Sequence, residues 1–221
     1  MPSITTAMPT SFKKEMMEGI HNLQGTVVIS GTTTNASKNV TSLASIADVS
    51  PGMLVTDANG DIPAGTYSSK LNSTTSVGLD TAATNGHSAQ NITFKGDALS
   101  FALIKHGYAG TYGATSINYS DITGNSDEVS GTGYTAGGFT WAAGLMITPL
   151  TSGTGAYAQP STNPSWTSAT IDTDGGMLYN ASKLNKALVV ESFGGEQKVT
   201  AGTLTLLLPT NGVGTSLMQV N

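Results

Sequence analysis

The chain has 221 residues, a net charge of −5 and no cysteine, and its nine basic residues are all lysines. Disulfides, thiolate catalysis and cysteine-ligated zinc are thereby excluded, and the lack of arginine and of any basic stripe speaks against nucleic-acid binding. With 24 Ser, 33 Thr and 27 Gly but only 10% charged residues, the composition fits neither a charge-solubilised disordered chain nor a Glu/Lys-rich helical bundle; it fits short strands joined by turns.

The N-terminal run Met1-Pro2-Ser3-Ile4-Thr5-Thr6 has no basic start or apolar core, so no signal peptide is expected. The longest apolar runs, such as Leu206-Leu207-Leu208, are far below the roughly 18 residues of a membrane span. Sequons begin at Asn35, Asn39, Asn72, Asn91, Asn118 and Asn180. Without a secretory signal they read as chance in a chain rich in Asn, Ser and Thr.

The first predicted element is a helix over residues 10–23. Thr10 or Ser11 can cap it after Pro9, and Phe12, Met16, Ile20 and Leu23 recur on one stripe. Lys13, Lys14, Glu15 and Glu18 supply most of the opposite face. The stripe either docks on the main sheet or packs on a neighbouring subunit.

From residue 25 the character changes. Strands are expected over 26–30, 53–56, 76–79 and 91–94, separated by Pro51-Gly52, Asn59-Gly60, Pro63-Ala64-Gly65 and Asn85-Gly86 turns. Residues 25–96 thus read as a small all-β module inserted into a main domain made of residues 1–24 and 97–221. Strands of the main domain are expected over 99–104, 139–147, 167–171, 177–179, 187–191 and 203–208. The 177–191 region forms a hairpin with a loop of six or seven residues. Residues 125–138 and 151–164 read as long loops. Segments 1–9 and 151–164 are candidate arms that order on contact. The expected fold is mainly β: an antiparallel sandwich-like domain with one N-terminal helix and the inserted module.

Chemical motifs are sparse. His21, His87 and His106 lack metal-ligand spacing, so no metal or cofactor is expected. Asp172-Thr173-Asp174-Gly175-Gly176 echoes the start of a calcium loop, but lacks its third carboxylate position and distal Glu, and reads as a β-turn. Asp127-Glu128 reads as a solvated loop pair. Gly131-Thr132-Gly133-Tyr134-Thr135-Ala136 matches the dinucleotide fingerprint formally, yet Asn125-Ser126-Asp127-Glu128 before it and Gly137-Gly138-Phe139 after it are not the required strand and helix. Trp141 and Trp166 read as core residues rather than a sugar-stacking face. If the chain cleaved glycosides, Asp127, Glu128, Asp172 and Asp174 would be the carboxylates to nominate.

Two stretches carry a resemblance. One runs Asp127-Glu128-Val129-Ser130-Gly131-Thr132-Gly133-Tyr134-Thr135-Ala136-Gly137-Gly138. The other comprises Trp166-Thr167-Ser168-Ala169-Thr170-Ile171, Met177-Leu178-Tyr179-Asn180, Asn185-Lys186-Ala187 and Phe193-Gly194-Gly195. They resemble a family of small structural proteins of tailed-bacteriophage virions, whose members open with a helix similar to the one around Ser11–Ile20. Residues 25–96, with Pro51-Gly52-Met53-Leu54-Val55 and Asp61-Ile62-Pro63-Ala64-Gly65-Thr66, resemble a β module of phage fibre and surface proteins.

The resemblance implies a non-enzymatic, oligomeric virion protein without cofactor. Its partners would be copies of itself and other virion proteins, the major capsid protein foremost, with neither nucleic acid nor membrane. A cement or decoration protein on the head exterior is the preferred placement, since no heptads or repeats of a fibre shaft occur. A tail or neck component (fibre, adaptor or baseplate) with host-glycan binding is the alternative. The expected interface residues are Phe12, Met16 and Ile20 on the helix, with Tyr134 and Trp166.

Overall fold

The computed structural model describes residues 1–144, 146–152, 155–209 and 217–220. The protein is mainly β, with 45% of residues in strands and 6% in helices, arranged in several antiparallel sheets consistent with a sandwich-like domain. In chain order the elements are β1 (Ser3–Ile4), α1 (Thr10–Met17), β2 (Thr26–Gly31), β3 (Asn39–Val40), β4 (Leu54–Asp57), β5 (Ser68–Ser73), β6 (Ser76–Leu79) and β7 (Gln90–Lys95). There follow β8 (Leu99–Lys105), β9 (Thr111–Tyr112), α2 (Ser120–Gly124), β10 (Phe139–Trp141), β11 (Met146–Ser152), β12 (Gly155–Pro160), β13 (Ser165–Asn180), β14 (Lys186–Thr205) and β15 (Met218–Val220).

The chain divides into two compact units: Met1–His21, Ala98–Ala142 and Pro149–Asn221 form one, Asn22–Asp97 and Ala143–Thr148 the other. The second unit therefore includes residues 143–148 as well as the segment read as an insertion. Its two chain ends lie side by side. The Asn22 N–H donates to Asp97 Oδ2 at 2.8 Å, and the Asp97 N–H donates to Asn22 O at 2.8 Å. Between these ends stand two three-stranded antiparallel sheets, ordered β2-β7-β4 and β3-β6-β5. They enclose a core of their own, including Val40, Leu43, Met53, Val55, Val77, Ile92 and Phe94. The β-branched and aromatic residues that marked these strands in sequence are the ones that fill this core, as strand packing favours.

In the first unit the main sheet is antiparallel and ordered β10-β8-β13-β14. β8 is buried on both faces from Leu99 to Ile104, so its sequence shows a nearly continuous apolar run rather than alternation. One face packs Ala102, Ile104, Met177, Tyr179, Ala187 and Val190 against Tyr112 and Ile122. Ile122 comes from α2, a single turn too short to announce itself by periodicity. β13 and β14 are each continuous where two short strands were expected, and the Asp172–Gly176 run is strand rather than turn. Its glycines serve close approach: a Cβ at Gly176 would lie 2.2 Å from Phe101 Cε1. The connecting loop, residues 181–185 between the paired Asn180 and Lys186, is slightly shorter than expected.

Three further expectations are corrected. The helix spans Thr10–Met17, not residues 10–23, and has no side-chain cap at its N-terminus. It stops because Gly19 takes a left-handed conformation (φ 67°) and donates its N–H to Met16 O. Segment 1–9 is not a free arm. Ser3–Ile4 pairs in parallel with Thr111–Tyr112, and Ala7 exchanges two backbone hydrogen bonds with Val190. Within 151–164, β12 pairs antiparallel with β15. Residues 153–154 of that expected loop, and residue 145 of the expected 139–147 strand, lie outside the described residues.

Candidate functional site

The acidic pair Asp127-Glu128 is not a solvated loop. Asp127 is fully buried at the end of β8. Its Oδ2 accepts from the Tyr112 hydroxyl at 2.6 Å and the Gly110 N–H at 2.7 Å, the Ala109 N–H reaches both oxygens at 2.9–3.0 Å, and Lys105 Nζ stands 3.7 Å from Oδ1. Burial pushes this carboxyl up, but the hydroxyl, the two amides and Lys105 together hold it below the usual carboxylate value. Burial and the Asp127 carboxylate correspondingly push the Tyr112 hydroxyl up.

Glu128 organises the Gly-rich motif that follows it. It accepts from Tyr119 at 2.5 Å, Tyr134 at 2.8 Å and the Gly137 N–H at 2.6 Å. The Tyr134 hydroxyl in turn accepts the Leu103 N–H at 3.0 Å, which fastens the loop to β8. The glycines permit contact: at Gly138 (φ 76°) a Cβ would come 1.9 Å from Phe101 O. The motif that resembled a dinucleotide fingerprint is thus a loop clamped flat on the main sheet.

The expected interface residues scatter. Phe12 is fully buried, edge-on to His21 at 5.1 Å, and offers no surface. Met16, Ile20 and Tyr134 are half-buried. Glu15, expected on the polar face of the helix, is buried and bonds Lys186 and, at 2.8 Å, His21 Nε2. Trp141 is buried with its indole N–H donating to Thr162 O at 2.9 Å.

Trp166 is different. It is 5% exposed, close to Tyr134 and Phe139, and forms part of the wall of a groove of about 270 Å³ with Leu103, Phe193, Leu204 and Leu206. Phe193 and Leu206 also line an adjoining hollow of about 130 Å³, together with Glu191, Leu207, Leu208, Pro209 and Leu217. Leu207 is 75% exposed. This apolar ground follows β14, the outermost strand of the main sheet. The N-terminal segment covers the β14 edge at Val190 and Ser192, through Ala7 and Thr6. Among the described residues no strand pairs with that edge beyond Ser192. The sequence signal that would have found this surface is the absence of charge: residues 129–171 and 199–221 contain no Asp, Glu, Lys or Arg. The lining is mostly apolar, with Glu191, Gln197 and Thr205 as its polar members, and the charges that guard an edge lie on β14 itself, at Glu191, Glu196 and Lys198.

The histidines occupy three separate polar clusters. His21 lies between Glu15 and Asn180. His87 holds buried Asp61 at 2.9 Å in the second unit. His106 meets Asp172, Asp174, Glu196 and Lys198 where β8, β13 and β14 come together. Comparison with family models, with curated proteins and with solved structures finds no match to this chain.

Proposed function

We propose that this chain is a non-enzymatic structural protein of a tailed-phage virion that works by binding neighbouring virion proteins, and that it sits on the head exterior as a cement or decoration protein. The observation that carries the reading is the largely apolar ground beside β14, which runs from Trp166 and Phe193 to the exposed Leu207 and has Glu191 in its lining. A chain with net charge −5 meets copies of itself with least repulsion where charge is sparse, and apolar burial supplies the affinity. Two of the four carboxylates nominated for glycoside cleavage, Asp127 and Glu128, support the same reading. Asp127 is buried and Glu128 accepts three hydrogen bonds, so neither is presented to a substrate as a free acid or base.

The test has two parts. Leu207→Asp places a charge in the middle of the apolar ground without touching the core. It is expected to abolish binding to purified shells and self-association, measured by co-sedimentation and light scattering, while leaving the melting temperature unchanged. Retained binding removes the β14 surface from the reading. In a virion reconstruction, many copies spread over the head support the cement placement. A few copies at one vertex or at the tail tip replace it with the tail or neck alternative.

A further inference from the structure

The His106 cluster is built in a way that the virion reading does not use. β14 carries a bulge opposite Thr173–Gly175: Gly175 pairs with Ser192 and Thr173 with Gln197, which leaves Phe193, Gly194, Gly195 and Glu196 as extra length. Gly194 takes a positive φ of 76°, which a side chain rarely allows. The bulge sets Glu196 beside Asp172 of β13 and opposite His106, just past the end of β8. One ligand atom from each of His106, Asp172 and Glu196 lies within 4.8 Å of the others.

Three features of this group point to a cation. First, Asp174 takes His106 Nδ1 at 3.0 Å and 3.1 Å. A carboxylate on one ring nitrogen holds that side of the ring and turns Nε2 outward, as in carboxylate–histidine–metal arrangements. That nitrogen faces Glu196 Oε2 across 3.9 Å, where a ring proton or a metal ion can stand between the two. Second, Asp172 Oδ1 is buried and has no hydrogen-bond partner, although its Oδ2 is held by Lys198 at 2.7 Å. A buried carboxylate oxygen without a donor is costly unless a cation or donor reaches it. Third, the carboxylates of Asp172 and Glu196 share the single ammonium of Lys198, Asp174 is taken up by His106, and Lys105, on the same open groove of about 320 Å³, turns to Asp127.

We propose that His106, Asp172 and Glu196 bind a divalent transition-metal ion of the Zn²⁺ or Mn²⁺ class, with Asp174 as the positioning residue of His106. One nitrogen and two carboxylate oxygens suit such an ion. The ligand atoms need to draw together by at most about 1.5 Å to reach zinc-like spacing, and His106 and Glu196 are exposed enough to move (side chains 51% and 41% exposed). Lys198 contacts both Asp172 and Glu196 and competes for the same place. The bound ion would staple β8, β13 and the bulge of β14 at the root of the outer ribbon.

The experiment titrates Zn²⁺, and separately Mn²⁺, into chelator-treated full-length protein by calorimetry, with thermal melting in parallel. One ion per chain is expected for at least one metal, with a raised melting temperature. His106→Ala and Glu196→Gln, both at exposed side chains, should weaken binding by more than about tenfold, and Asp174→Asn by about tenfold. Lys198→Met should tighten it by about tenfold, because a competing positive charge has gone. An adventitious surface site would not respond so. Absence of binding to both metals overturns the proposal. So does binding that His106→Ala and Glu196→Gln leave intact, or that Lys198→Met weakens. Circular dichroism of each variant confirms that it is folded.

Discussion

Asp61 in the second unit and Asp127 in the first are each buried where loops meet, and the two acids are satisfied differently. Asp61, 1% exposed, receives Thr33 Oγ1 at 2.6 Å, Gln90 Nε2 at 2.8 Å and His87 Nδ1 at 2.9 Å. All three donors are side chains. Asp127, fully buried, receives two backbone amides and one hydroxyl, from Ala109, Gly110 and Tyr112. In the second unit the clamp gathers the end of β2, the loop before Pro63 and the start of β7. In the first it folds the turn after β8 back on itself. A clamp made of side chains can be dismantled one donor at a time. A clamp made of amides breaks only when the acid itself goes, because no substitution deletes a backbone N–H short of proline.

The sharpest break of this comparison is Asp127→Ala. It strands two amides and a hydroxyl in a buried site and leaves Lys105 without its partner. A loss of about 3–5 kcal/mol is expected, read from urea unfolding of the full chain. Tyr112→Phe removes one donor and leaves the amides in place, so it should cost far less, about 1.5 kcal/mol. If the two substitutions cost the same, the amides contribute nothing and the contrast with Asp61 fails.

Acid should act on both clamps in one direction. Asp127 and Asp61 are each held below their ordinary value of 3.8. For Asp61 the largest cause is the Thr33 hydroxyl, opposed by burial and reinforced by His87 and Gln90. A carboxyl with a depressed folded pKa binds fewer protons when folded. Its contribution to stability is therefore complete above the unfolded pKa and is lost as pH falls through the folded one. The share of the unfolding free energy that these two acids supply should be level in pH down to about 5 and fall below about 4. Asp127→Asn should flatten that fall. A wild-type chain equally stable at pH 3 and pH 6 would show that neither acid is ionised in the folded state.

Thr33→Val tests the side-chain clamp at its shortest contact. Valine keeps the shape and removes the hydroxyl, which both donates to Asp61 and accepts from Gln90 Nε2 and the His87 N–H. About 1.5 kcal/mol is expected, with the change in amide exchange confined to residues 22–97. A change spread over the first unit would mean that the two units do not open separately.

The strands were legible because β-branched and aromatic runs between Gly, Asn and Pro turns say where a chain extends; β6 falls at Ser76–Leu79 as expected from sequence. The helix length was not, because Phe12, Met16, Ile20 and Leu23 hold helical spacing across a glycine whose left-handed turn ends the helix. Nor was the burial of Asp127. Its decisive partners are the amides of Ala109 and Gly110, and a backbone N–H has no letter in a sequence. The Gly175-Gly176 pair misled for a related reason. Glycine marks both turns and close approach, and only the ring of Phe101 against Gly176 tells which is meant. The β14 surface was readable only in part, through the charge-free stretches 129–171 and 199–221, because it also draws on Phe193 between Glu191 and Glu196 and on residues far apart in the chain, from Leu103 to Leu217.

The smallest expected effect separates the two clamps most finely. His87 is the outermost donor to Asp61, its side chain 46% exposed. Water can replace its N–H as it cannot replace that of a buried amide, so the bond to the acid is screened and partly compensated. His87→Ala should therefore cost under about 1 kcal/mol. Thr33 lies between His87 and Gln90 and shares the acid with both, so the two substitutions should not add. A double-mutant cycle of Thr33→Val with His87→Ala should give a coupling of at least about 0.5 kcal/mol. Strict additivity would mean that His87 merely rests on the surface, and that Asp61 is held by Thr33 and Gln90 alone.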